Sequence, residues 1–147
     1  MISTLLLAAL AANPPVEAHV TSIELQRPVG GVSVNWYNRV SLELASRDAR
    51  RVRLCPGDVS VVTERRVGES FRPVDRFRAY AMKLGTARNY TGACRDIALA
   101  PGRPEMVTFI VTAVPGGRHR GEDRYSLVLD ADWAGTHVPS QAPIPAP

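Results

Sequence analysis

Short runs in which apolar and polar residues alternate recur along this chain and constrain its fold more than any other feature. Residues 40–44 read V-S-L-E-L, and residues 125–129 read Y-S-L-V-L. A period of two is that of an extended strand with one buried face and one wet face. Residues 106–114, M-V-T-F-I-V-T-A-V, are instead apolar on both faces, as in a central strand. Sequence stretches rich in Pro and Gly separate these runs.

About seven such strands divided by turn residues predict an all-β fold, an antiparallel β-sandwich of the immunoglobulin-like type. Residues 50–64 have the pattern of a hairpin, because Cys55-Pro56-Gly57-Asp58 supplies a turn between two alternating runs. Residues 73–84 fit two patterns. A short helix is favoured by Pro at the start, by Gly85 past the end and by the helical spacing of Val74, Phe77, Ala81 and Leu84. Alternation around Phe77 instead favours a strand.

Residues 1–18 have the properties of a secretory signal peptide. The apolar segment 2–12, I-S-T-L-L-L-A-A-L-A-A, is too short to span a bilayer and is followed by Asn13-Pro14-Pro15. Two positions fit the small-x-small rule for cleavage, one after Ala11 and one after Ala18. The second gives the more usual length, and we expect cleavage there. A buried N-terminal helix is the alternative.

Cleavage after Ala18 divides the chain into three parts. The sandwich domain then covers residues 19–138, and a Pro- and Ala-rich tail over residues 139–147 is expected to be extended. The expected location of the mature protein is the periplasm or the exterior of the cell.

The two cysteines, Cys55 and Cys94, are predicted to form a disulfide. Isolated cysteine pairs in exported proteins are generally oxidised, and a two-cysteine metal site would lack the close spacing typical of zinc ligands. Closing a loop of this length stabilises a fold by roughly 4 kcal/mol on the chain-entropy model. The pairing also removes the thiolate that a cysteine nucleophile needs.

The basic residues are almost all arginine, since Lys83 is the only lysine among 18 Lys and Arg residues. Guanidinium groups pair bidentately with phosphate or carboxylate, so clustered arginines predict an anionic partner such as a phosphorylated lipid or an acidic polymer. Nucleic acid is the least favoured of these partners. A solvated, salt-bridged surface is the alternative. The candidate partner-binding residues are Arg50, Arg51, Arg53, Arg65 and Arg66.

The candidate metal ligands are His19, His119 and His137. If cleavage follows Ala18, His19 becomes the terminal residue, and its amine and ring nitrogen can chelate Cu(II) while a second imidazole completes the site. This arrangement resembles the N-terminal histidine of copper-carrying CopC-like sandwich proteins and of lytic polysaccharide monooxygenases. The resemblance implies a copper site and covers this one residue. An incidental first residue is the alternative.

No motif indicates catalysis or a cofactor. The chain has no G-x-S-x-G nucleophile elbow, no G-x-G-x-x-G and no phosphate-binding P-loop. Asp130 and Asp132, with Glu122 and Asp123, could supply oxygen ligands to Ca²⁺, but a solvated strand end explains them more simply.

We therefore expect a non-catalytic exported module of a bacterial envelope that needs no cofactor. A periplasmic copper-binding protein and a structural subunit of a surface assembly are the alternatives.

Overall fold

The computed structural model describes residues 16–28, 35–113, 123–131 and 133, and it confirms the all-β, sandwich-like fold. The predicted tail, residues 139–147, and residues 1–15 lie outside these ranges. One 3-10 turn, Pro56–Asp58, interrupts the strands. The strands are β1 Val16–Gln26, β2 Tyr37–Ser46, β3 Arg50–Leu54, β4 Val59–Val67, β5 Ser70–Leu84, β6 Arg95–Leu99, β7 Glu105–Thr112 and β8 Arg124–Leu129.

Six of the strands form one antiparallel sheet in the order β1-β2-β7-β5-β4-β8, and β3 and β6 form a separate two-stranded sheet. The long strand β5 joins two halves of the larger sheet. Its first part, residues 70–78, pairs with β4, and its second part, residues 79–84, pairs with β7. The larger sheet curls at β5, so that β1-β2-β7 and β4-β8 contribute to one core.

Alternate residues of the strands fill this core. The expected inward residues of β2 and β8 are buried, and Phe109 of β7 is fully buried among them. Burying one large apolar side chain stabilises the fold by about 1.5–3 kcal/mol, so the period-two pattern carries much of the folding free energy. The second sheet adds Val52 and Leu54 from β3, with Ile97 and Leu99 from β6. Across the described residues, no helix has the length and apolar character needed to cross a membrane.

The predicted hairpin over residues 50–64 is wrong, although both of its strands exist. β3 pairs with β6, whereas β4 pairs with β5 and β8. The 3-10 turn Pro56–Asp58 separates the two strands, so that β3 pairs with β6 in its own sheet. Val52 and Leu54 contribute to the common core from that sheet.

Of the two patterns that residues 73–84 fit, the short helix is wrong and the strand is observed, because this segment belongs to β5. Two irregularities in β5 imitate helical spacing. Val74 and Tyr80 each fall outside the pairing register, as extra residues in β-bulges. Buried Ala79 is therefore followed by buried Met82, three positions later. An interval of three is what a helix produces, and here the bulge at Tyr80 produces it.

Candidate functional site

The disulfide predicted between Cys55 and Cys94 is confirmed, with sulfur atoms 2.02 Å apart and Cα atoms 4.0 Å apart. It follows directly on the last pair of the β3–β6 ladder, Leu54 with Arg95. The chain has no free cysteine. Neither thiol is available as a nucleophile or a metal ligand while the bond is intact.

The structure places one of the three candidate copper ligands. His19 lies on β1 opposite Glu43, its side chain is 60% exposed, and its Nε2 atom is 3.5 Å from a carboxylate oxygen of Glu17. His119 and His137 lie outside the described residues. Within the described ranges, no three His, Cys, Asp or Glu side chains are grouped to hold a metal ion.

The three candidate arginines of β3 differ in their surroundings. Arg50 is held by Asp48 through two hydrogen bonds of 2.6 and 2.8 Å, which lowers the pKa of the Asp48 carboxyl. Arg51 and Arg53 point outward on the opposite face, and Arg53 approaches Asp96 at 3.8 Å, where both side chains are well exposed. Such a long exposed ion pair contributes little. Arg51 has no ion pair with any residue that the structure describes.

The two candidate arginines of β4 face opposite sides of the sheet. Arg65 donates two hydrogen bonds of 3.1 Å to Asp123, whose side chain is completely buried, and this partner raises the pKa of Arg65. Arg65 therefore has a structural partner. Arg66 is exposed on the outer face and donates to the backbone oxygen of Gly68.

A shallow cavity of about 540 Å³ lies on the outer face of the half-sheet formed by β8, β4 and the first part of β5. Its apolar lining comes from Val62, Pro73, Val74 and Val128, and its polar lining from Glu64, Asp75, Arg76 and Ser126. The bulge at Val74 produces this wall of the cavity, because the extra residue displaces β5 from the ladder. Sequence periodicity gave no indication of the cavity, since the bulge breaks the alternation.

Arg76 lines this cavity, and three further arginines lie on the same face of β4, β5 and β8. Arg76 and Arg78 project from the same face of β5. Their Cα atoms are roughly 7 Å apart, as expected for alternate residues of a strand. Arg124 lies over the ring of Phe71, 3.6 Å from the ring centroid, and approaches Glu64 at 3.5 Å. Arg66 lies opposite Phe71 in the ladder. We call Arg66, Arg76, Arg78 and Arg124 the outer arginines.

One of the two acidic side chains that line the cavity has a cationic partner of its own. Glu64 is paired with Arg124, whereas Asp75 shares Arg65 with the buried Asp123, and both carboxylates raise the pKa of Arg65. Arg76 reaches Asp130 at 3.4 Å, but both side chains are about half exposed, so the pair is weak and can exchange its partner. Arg78 makes no ion pair within the described ranges.

A buried polar pair, Asn38 and Tyr125, lies on the inner side of the larger sheet. The Asn38 side chain donates to the Tyr125 hydroxyl at 3.3 Å, while its own side-chain oxygen accepts no hydrogen bond in the described structure. Burial raises the pKa of Tyr125, because the phenolate form is poorly solvated there.

This raised pKa predicts a loss of stability at alkaline pH. An unfolded tyrosine ionises near pH 10, while folded Tyr125 keeps its proton to higher pH. Unfolding then releases a proton, so the free energy of unfolding should fall as pH rises above about 10, by up to about 1.4 kcal/mol per pH unit for each such group. Urea denaturation between pH 8 and 11 measures the slope. Tyr125→Phe should flatten it, and an unchanged slope in this variant would contradict the assignment.

Comparison with known proteins adds nothing to these contacts. No protein-family model, no curated protein and no solved structure matches the chain.

Proposed function

We propose that this chain is a non-catalytic binding module of an oxidising compartment of a bacterial envelope, and that its ligand is a phosphate-bearing lipid. The disulfide supports the compartment, because such bonds persist in the periplasm and outside the cell and are rare in the cytosol. The export segment expected over residues 1–18 agrees with it.

A single observation supports the ligand: Arg76 and Arg78 project beside an apolar cavity on one sheet face. Guanidinium groups bind phosphate bidentately, and the cavity offers Val62, Val74 and Val128 to hydrocarbon. A ligand that carries both a phosphate and an acyl chain complements both features. An acidic polymer would use the arginines and leave the apolar surface uncovered.

The charges leave room for such a ligand. Arg78 has no acidic partner among the described residues, and the exposed pair between Arg76 and Asp130 can open to admit a phosphate. Glu64 would repel an anion if it were alone, but Arg124 offsets its charge. Arg65 offsets only part of the charge of Asp75, because it also pairs with Asp123.

Binding to vesicles tests the proposal. Vesicles of phosphatidylglycerol mixed equally with phosphatidylcholine should retain the protein in a sedimentation assay, and vesicles of phosphatidylcholine alone should not. An arginine near an anionic surface contributes about 1 kcal/mol, so removing two should weaken binding about 30-fold. We therefore expect this loss for the double variant Arg76→Ala with Arg78→Ala. Raising salt from 0.15 to 1 M should also weaken binding, because the Debye length shrinks from about 8 to about 3 Å.

The matched control is Arg51→Ala with Arg53→Ala, which removes the same charge from the outward face of β3. It should bind nearly as tightly as the unchanged protein. If only this control loses binding to the vesicles, the lipid-binding site lies on β3 and not at the cavity. Equal binding of both variants, or equal retention on both kinds of vesicle, would refute the proposed function.

A further inference from the structure

The first three residues of β1 are part of the folded sheet. Val16 is only 2% exposed and packs in the same hydrophobic cluster as the central strands. It pairs with Ser46, and the next two residues, Glu17 and Ala18, continue the ladder along β2. Ala18 also packs against the core.

Removal of residues 1–18 would take these contacts away. The strand β1 would begin at His19, the last three residues of β2 would lose their partners on that side, and the space filled by Val16 would open to solvent. Cleavage at Ala18 thus cuts inside a structural element. Cleavage after Ala11 cuts outside it, and Ala9-Leu10-Ala11 satisfies the small-x-small rule equally well.

We infer that the exported chain is processed after Ala11, so that the mature protein begins at Ala12 and keeps Val16 in its core. This inference rests on the export that forms part of the proposed function. A leader peptidase would add water across the amide between Ala11 and Ala12, releasing the Ala11 carboxylate and the free amine of Ala12. In that product the backbone nitrogen of His19 is an amide, which removes the amine half of the copper chelate.

Mass spectrometry of intact protein tests the site. The full chain is expressed in a Gram-negative bacterium, recovered from the periplasm and weighed. The mass should correspond to a chain that begins at Ala12 and contains one disulfide. A mass that begins at His19 would overturn the inference, and so would a full-length chain found only in the cytoplasm.

Two substitutions upstream of the fold make the test specific. Ala11→Phe places a bulky side chain where the peptidase needs a small one, and this variant should accumulate uncleaved. Leu10→Phe adds a bulky side chain at the adjacent, unconstrained position and should be processed normally. Normal processing of Ala11→Phe would overturn the inference. Vesicle binding is measured on isolated protein, whereas processing is measured on protein recovered from cells. If one of these predictions fails, the other can still be tested.

Discussion

Replacing both Cys55 and Cys94 with alanine should lower the free energy of unfolding by about 4 kcal/mol. The bond joins residues 39 positions apart, and on the chain-entropy model closing a loop of that length restricts the unfolded chain by this amount. Urea denaturation of the unchanged protein and of the double variant measures the difference. Because both thiols are removed, no free cysteine remains to form mixed disulfides.

Reduction provides the control for this substitution. A reducing agent should destabilise the unchanged protein by the same amount and should leave the double alanine variant unaffected. Val52, Leu54, Ile97 and Leu99 still attach the β3–β6 sheet to the core, so the variant should fold. A loss below about 1 kcal/mol would show that the disulfide contributes little through the entropy of the unfolded chain.

The size of this effect bears on where the protein can function. Domains of this size are typically stable by only about 5–15 kcal/mol, so a loss of 4 kcal/mol is a large fraction of the total. In a reducing cytosol the chain would be correspondingly less stable. The dependence of stability on the bond between Cys55 and Cys94 is consistent with the proposed oxidising compartment.

The parts of the fold that the sequence predicted correctly follow from local repetition. The run at residues 40–44 buries Val40, Leu42 and Leu44, and its polar residues remain at least partly accessible. In a strand of alternating apolar and polar residues, the residue types alone indicate which side chains face the core and which face solvent. The disulfide was predictable for a different reason: the chain has only two cysteines.

The parts that the sequence did not predict depend on partners far away along the chain. Nothing in residues 50–64 indicates that β3 pairs with β6, some 45 residues later. Likewise the ion pair of Arg65 with Asp123 spans 58 residues, so Arg65 reads in sequence like its exposed neighbour Arg66. One wall of the cavity depends on the bulge at Val74. In the sequence, the apolar spacing around this position resembles that of a helix.

Substitution of Ala79 distinguishes the strand from the short helix, the two patterns that residues 73–84 fit. Ala79→Asp should destabilise the protein by about 3–5 kcal/mol, because Ala79 is 4% exposed and faces the core beside Val111. A carboxylate there would be buried without a compensating cation. Urea denaturation at pH 7 measures the loss, and lowering the pH toward 4 should recover part of it as the carboxyl group takes up a proton.

Val74→Asp is the matched control, because the helical pattern assigns these two positions the opposite way. A helix with Val74, Phe77, Ala81 and Leu84 on its buried face would bury Val74 and expose Ala79. In β5 Val74 is instead 41% exposed at its bulge, so the same charge should change the free energy of unfolding by no more than about 0.5 kcal/mol. Severe destabilisation by Val74→Asp, together with tolerance of Ala79→Asp, would contradict the strand. It would also contradict the bulge at Val74, which forms one wall of the proposed lipid site.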